Sequence, residues 1–174
     1  MGLKRSYQSA RKKIDALDAG ERKRLSAICE DIHQAQVKLS AKAVPILEKC
    51  MAGCQGLCCR NILPSEIMTE WDLVYILVMA PQVEADMAAC LQNEQFFAAD
   101  CIFLENGVGP CLFPDNIRPE RCIISFCKVE PLVEKEIKQV MRGVSRLIRF
   151  FIFRPYLRWL RFIAPGSKKS RRLG

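Results

Sequence analysis

At 174 residues, half of them hydrophobic, the chain has the length of about one domain and enough apolar side chain to build a core, which excludes an intrinsically disordered segment. Its formal net charge of +8 is unevenly divided: +5 over residues 1–24, −7 over 25–141 and +10 over 142–174, so an acidic body carries two basic arms. Basic arms of this kind find phosphate, on nucleic acid or on anionic lipid headgroups.

Residues 1–45 read as a basic N-terminal arm followed by a helix. No apolar stretch follows MGLKRSYQSARKK, so the opening does not resemble a secretory signal, and a reducing cytoplasmic setting is expected, extended to the inner face of the membrane if the protein is peripheral. Asp18 and Glu21 frame a capping box. Leu25, Ile28, Ile32, Ala35, Leu39 and Ile46 then mark one apolar stripe, a core or coiled-coil face. His33, the single histidine, lies beside that stripe and far from the cysteines, and reads as a solvated or core-edge residue.

Residues 46–130 form the expected cysteine-cluster domain. In PSEIMTEWDLVYILVMAP, Thr69 caps a helix with Asp72 three residues on, and Pro81 closes it. The apolar run 73–80 is too short to cross a bilayer and predicts a buried helix, with a second helix over 82–95. Asn106, Gly107, Gly109, Pro110, Pro114, Asp115, Asn116 and Pro119 then predict a long loop. A loop this irregular inside a compact domain needs a staple, and metal ligation by the cysteines in or beside it is the expected one.

Eight of the ten cysteines fall into two groups. Cys50, Cys54, Cys58 and Cys59 have the form C-x3-C-x3-C-C, and Cys101, Cys111, Cys122 and Cys127 the form C-x9-C-x10-C-x4-C. Four thiolates satisfy one tetrahedral zinc ion or one iron–sulfur cluster, so the eight fill one or two sites, and in a reducing compartment they read as metal ligands rather than disulfides. No C-x2-C pair and neither ferredoxin spacing is present. Adjacent Cys58 and Cys59 aim in different directions, so either two sites lie close together or one of the pair is spare. A spare thiol defines an enzyme alternative, a nucleophile or redox cysteine, but no general base accompanies it in the sequence. Arg60, Arg118, Arg121 and Lys128 lie near candidate ligands, where they either offset thiolate charge or are simply solvated. Cys29 and Cys90 stand apart in helical sequence as buried thiols.

The segments CMAGCQGLCC at 50–59, CIFL at 101–104, CLF at 111–113 and RPERC at 118–122, closed by Cys127, together resemble the CxxCxxCC or YkgJ-type cysteine-cluster family, described as zinc- or iron-chelating. The resemblance spans residues 50–127. It departs from the family in its x3 spacings, in Phe113 where Tyr is common, in PDNI before Arg118, and in Ile123 where Arg often follows the cysteine. It implies a small helical metal-binding domain in a bacterial setting, with the metal open between zinc and iron.

Residues 131–174 complete the chain. In RGVSRLIRFFIFRPYLRWLRFI, Arg142, Arg146 and Arg149 share one helical face and Arg154, Arg158 and Arg161 another, with Pro155 at the change of phase. Two short amphipathic helices are therefore predicted, the second started by that proline. Four arginines forbid a membrane span, but an interfacial helix, with SKKSRR adding attraction to anionic lipid, is compatible. Packing on the protein's own core or on a protein partner is the competing reading of residues 142–172, and nucleic acid is the weakest of the three. The expectation is a mainly α domain with a long cysteine-rich loop stapled by metal. Its function would be electron transfer or a redox-accessory role through an iron–sulfur cluster or zinc, with a zinc-structured, non-redox adaptor as the alternative and the redox partner unspecified.

Overall fold

The computed structural model describes residues 2–54, 63–92, 101–105, 110–124 and 131–163, the side chains of residues 47, 49–54 and 157–163 excepted. Among these residues the regular structure is helical apart from one isolated β-bridge, as expected of a mainly α domain.

The basic N-terminal segment is itself a helix, α1 (Leu3–Asp15), with Leu3, Tyr7 and Ala10 at helical spacing on its buried face. Leu17 fills the turn that follows. The reciprocal capping box is present: the Glu21 amide donates to Asp18 Oδ1 (2.7 Å) and the Asp18 amide to Glu21 Oε2 (3.0 Å). It starts α2 (Ala19–Cys54), 36 residues and so about 54 Å at the helical rise. Leu25, Ile32, Ala35 and Leu39 of the predicted stripe are buried, while Ile28 and Ile46 are partly so. Pro45 lies inside this helix, which therefore runs without a break from the first expected segment into the second.

After a single turn, α3 (Pro64–Ile67), comes α4 (Glu70–Met79), with the predicted Thr69/Asp72 capping box at its start and Ala80 then Pro81 at its end. Leu73 through Leu77 are all buried. A helix apolar all round belongs in the centre, and α4 is enclosed by α1, α2 and the C-terminal helix. A 3-10 turn (Pro81–Val83) leads into α5 (Glu84–Gln92), which lies within the predicted second helix; residues 93–95 of that prediction fall outside the described residues. No single described helix is long and apolar enough to cross a membrane. The bent pair α4 and α5 has the composition for it, but Val83, Met87 and Leu91 join the α4 side chains in the core.

The short α6 (Glu120–Ile124) precedes α7 (Glu134–Ile163). Here the prediction of two helices divided at Pro155 is corrected: α7 is one helix that passes through the proline. Proline's fixed φ suits a helix. Its cost is a missing hydrogen bond to the carbonyl of Phe151 and crowding there, in a turn anchored by the burial of Phe151 against Trp71, ring centroids 5.6 Å apart. Val140, Val144, Leu147 and Phe151 face the core. Gly143 lets α7 approach α2: a Cβ there would lie 2.7 Å from Ile32 Cγ1.

Cations of both basic segments pair across the fold. In α1, Arg11 pairs with Glu84 (3.0 Å), and Lys13 with Glu70 (2.9 Å) beside the Trp71 ring. In α7, Arg146 pairs with Asp31 and Arg154 with Glu21 (3.0 Å), the latter pair largely buried. A smaller core of Ala35, Leu39, Ala43, Val133 and Val140 lies beyond the main one, with Ile123 and Ile124 of α6 against it. That satellite core seats α6, whereas Phe103, Phe113 and Ile117 of the preceding loop pack on the main core.

Candidate metal centre

Three of the eight candidate ligands, Cys101, Cys111 and Cys122, fall among the described side chains. Cys50 and Cys54 lie on the last turns of α2 with undescribed side chains, and Cys58, Cys59 and Cys127, like Arg60 and Lys128, lie outside the described residues. Among the described residues, no group of three or more cysteine, histidine or acidic side chains gathers closely enough to hold an ion.

The described part of the loop is more ordered than its Gly/Pro content predicts. Leu104 and Cys111 form an antiparallel bridge, flanked by the Leu112 amide donating to the Phe103 carbonyl (2.8 Å) and the Glu105 amide to that of Pro110 (3.2 Å). Cys111 is therefore on the bridge itself, and Cys101 opens the turn leading into it, with the Leu104 amide donating back to its carbonyl (3.0 Å). Phe103 and Phe113, both buried with ring centroids 4.7 Å apart, pin the two segments to the core. Ile117 donates to the Pro114 carbonyl in a further turn, and Pro119 begins α6 by accepting from the Cys122 amide (3.0 Å). With Ile123 and Ile124 packed on the satellite core, Cys122 is left on the exposed side of α6.

Residues 116–120 are held by polar side chains from two helices, a device the sequence analysis missed. Gln36 of α2, buried in the stripe between Ile32 and Leu39, donates from Nε2 to the Arg118 carbonyl (3.0 Å) and accepts at Oε1 from the Arg118 amide (3.2 Å). Asp72, also buried, accepts the Glu120 amide at Oδ1 (2.6 Å), so the carboxylate that caps α4 also holds the first residue of α6. Its Oδ2 takes the Thr69 amide (2.8 Å) and hydroxyl (2.6 Å). The Asn116 carbonyl accepts from Tyr75 Oη (3.2 Å) and from His33 Nδ1 (2.9 Å), which places the imidazole proton on Nδ1 because a carbonyl only accepts. His33 is thus the predicted core-edge residue, with a specific partner. The available signal was Gln36: an amide at a stripe position must find hydrogen bonds where water is excluded.

Between this loop and α2 lies a groove of 540 Å³, walled by Val37, Ala43, Val44 and Ile123 and reaching Cys122. Asn116 Oδ1 and Arg118 Nε line it, buried and without hydrogen-bond partners, although the Arg118 guanidinium also pairs with Asp115. The Glu120 carboxyl is raised above the usual carboxylate range, first by burial and then by the Asp72 charge. Cys29 differs from the candidate ligands. Fully buried in the main core, its thiol is pushed up to about 12 by burial and is chemically inert. Cys101 and Cys111 are half-buried and Cys122 is exposed. Their chemistry fits zinc or an iron–sulfur cluster. No protein-family model, curated protein or solved structure matches the chain, so the metal reading rests on its own residues.

Proposed function

We propose that this chain is a cysteine-ligated metal protein, holding one or two iron–sulfur clusters or zinc ions through Cys50, Cys54, Cys58, Cys59, Cys101, Cys111, Cys122 and Cys127, and serving electron transfer or a redox-accessory role. The observation that carries the reading is the two-group cysteine pattern. The resemblance to the cysteine-cluster family supports it, as does the exposure of Cys122 on α6, in contrast to buried Cys29. When bound, a cluster supplies a one-electron couple, and zinc supplies a redox-silent crosslink. The chain's own part is to present thiolates and to set the polarity around them.

The same reading gives α7 a docking role toward an anionic membrane surface. Ile152, Phe153 and Tyr156 are exposed on a helix whose opposite face is spent on the core, and the segment around them is strongly basic. A protein partner is the competing occupant.

Anaerobic purification followed by iron, zinc and acid-labile sulfide analysis with a visible absorption spectrum tests the proposal. Iron with sulfide and a sulfur-to-iron absorption band is the expected result. Stoichiometric zinc without visible absorption selects the non-redox adaptor, and protein free of both metals from reducing, anaerobic preparation overturns the reading.

A further inference from the structure

Helices α2 and α7 run antiparallel, and ion pairs bridge them at successive levels: Arg154 meets Glu21, Arg146 meets Asp31, and Lys42 meets Glu136 (2.6 Å). Between the last two levels the pattern breaks. Lys38 of α2 and Arg142 of α7 line one cleft of 260 Å³, and among the described residues neither has an ion-pair partner. The helical register brings them together. Asp31, Ala35 and Lys38 lie on one face of α2, and Gln139, Arg142, Gly143 and Arg146 repeat the three- and four-residue spacing on α7. Ala35 and Gly143, both buried and nearly without side chain, leave a depression that the longer residues surround. Three cations, Lys38, Arg142 and Arg146, thus share the cleft with one carboxylate, Asp31, a surplus of two positive charges. Like charges four residues apart on a helix, as Arg142 and Arg146 are, repel, and Lys38 from the facing helix adds to the cost until an anion joins them.

We propose that this cleft between α2 and α7 binds a phosphate monoester, whose charge of about −1.5 to −2 at pH 7 matches the surplus. Arg142 supplies a planar fork of N–H donors for two phosphate oxygens and Lys38 a point charge from the opposite helix. The Gln139 amide, with no hydrogen bond among the described residues, adds a neutral donor. The cleft is smaller than the roughly 300–1,000 Å³ typical of sites for drug-sized ligands, so the phosphate group is what it holds and the rest of the molecule stays outside. No cysteine lines it among the described residues, and the site rests on neither the metal reading nor the membrane reading. A soluble monoester and a lipid headgroup ending in one share this chemistry. Phe153 is exposed on the same face of α7 as Arg146, about 10 Å along the axis, so one anionic surface can engage both.

The test titrates the full chain with inorganic phosphate in a phosphate-free buffer at about 0.1 M salt, where exposed charges more than about 10 Å apart are screened. Saturable amide shifts centred on residues 35–38 and 139–146 are expected. Lys38→Gln and Arg142→Gln each remove an exposed charge without breaking an ion pair, and each is expected to weaken binding about tenfold with the thermal melt unchanged. Arg149→Gln removes an equal charge from the same basic face but outside the cleft, and is expected to leave the affinity within about twofold. Equal losses in all three variants, or shifts that do not saturate, reveal only a diffuse basic face and overturn the proposal. Co-sedimentation with phosphatidylcholine vesicles carrying phosphatidic acid, a monoester, or phosphatidylglycerol, a diester, separates the two sources. Weaker binding of the Lys38 and Arg142 variants to phosphatidic acid vesicles alone identifies a headgroup, whereas lost phosphate affinity with unchanged vesicle binding identifies a soluble monoester, and either supports the cleft. Equal losses on both lipids overturn the assignment to a monoester.

Discussion

Asp72 joins two helices that are 48 residues apart in sequence, and removing it separates its local role from its long-range one. Thr69→Ala removes the side-chain half of the α4 capping box and is expected to cost about 1 kcal/mol. Asp72→Ala keeps the Asp72 amide on Thr69 Oγ1 but loses the reciprocal half of the box, the Thr69 amide and hydroxyl on its Oδ2, and also the charge-assisted bond to the Glu120 amide, worth about 1.5–3 kcal/mol, at a site where water does not replace it. The expected total is about 2.5–4 kcal/mol. With a urea slope of about 2 kcal/mol per molar, the unfolding midpoint falls by about 1.2–2 M, against about 0.5 M for Thr69→Ala. Urea titrations followed by far-ultraviolet circular dichroism measure both, on metal-free protein so that ligation does not contribute. The Glu120 carboxyl, relieved of its acidic neighbour, should also titrate lower in Asp72→Ala. Equal midpoints for the two variants would refute the argument, since Asp72 would then act only as a local cap and the bond to α6 would contribute nothing.

Gly143→Ala is expected to destabilise by about 1 kcal/mol despite the better helix propensity of alanine. Its new Cβ meets Ile32, which is fully buried, and Ile32→Ala in the same chain should remove the clash. Gly20→Ala, whose Cβ meets only Asp18 Oδ1 at 3.4 Å, should be neutral or slightly stabilising in the same thermal melts. Cys29 should resist thiol reagents in the folded protein and react only on unfolding. Its thiol stays protonated up to about 12 in the fold and ionises near the ordinary 9.0 in the unfolded chain. The unfolded state therefore binds fewer protons between those values, and stability falls as pH rises through that window, with a shallower slope in Cys29→Ala. Ile152→Asp with Phe153→Asp should abolish co-sedimentation with phosphatidylglycerol-containing vesicles at low salt while leaving the melting temperature nearly unchanged, since both side chains are more than half exposed. Undiminished vesicle binding by this variant would remove α7 as the contact.

Periodic and local features were legible in the chain. The two capping boxes at Asp18/Glu21 and Thr69/Asp72, the buried stripe of α2, the all-apolar α4 and the inert Cys29 each depend on residues within about one or two helical turns, so spacing alone specifies them. Proline was misjudged, because Pro155 marks a boundary only where the flanking turns lack other support. In α7 the preceding turn is anchored by Phe151 and by Arg154, which bonds Glu21 and the Ala16 carbonyl across the fold. In the N-terminal helix, Arg11 and Lys13 find their partners Glu84 and Glu70 on α5 and α4, residues that become neighbours only on folding.

By itself, then, the amino-acid order determined the helical class and the starts of α2 and α4, since both follow from residue type and short-range spacing. Only the tertiary structure decided that Gln36, Asp72, Tyr75 and His33 converge on the loop carrying Cys122, and that Gly143 admits α7 against Ile32. Those pairings join residues 41 to 111 positions apart. They arise because burying the apolar faces of α2, α4 and α7 carries polar side chains inward with them, where each must find the backbone group that the loop presents.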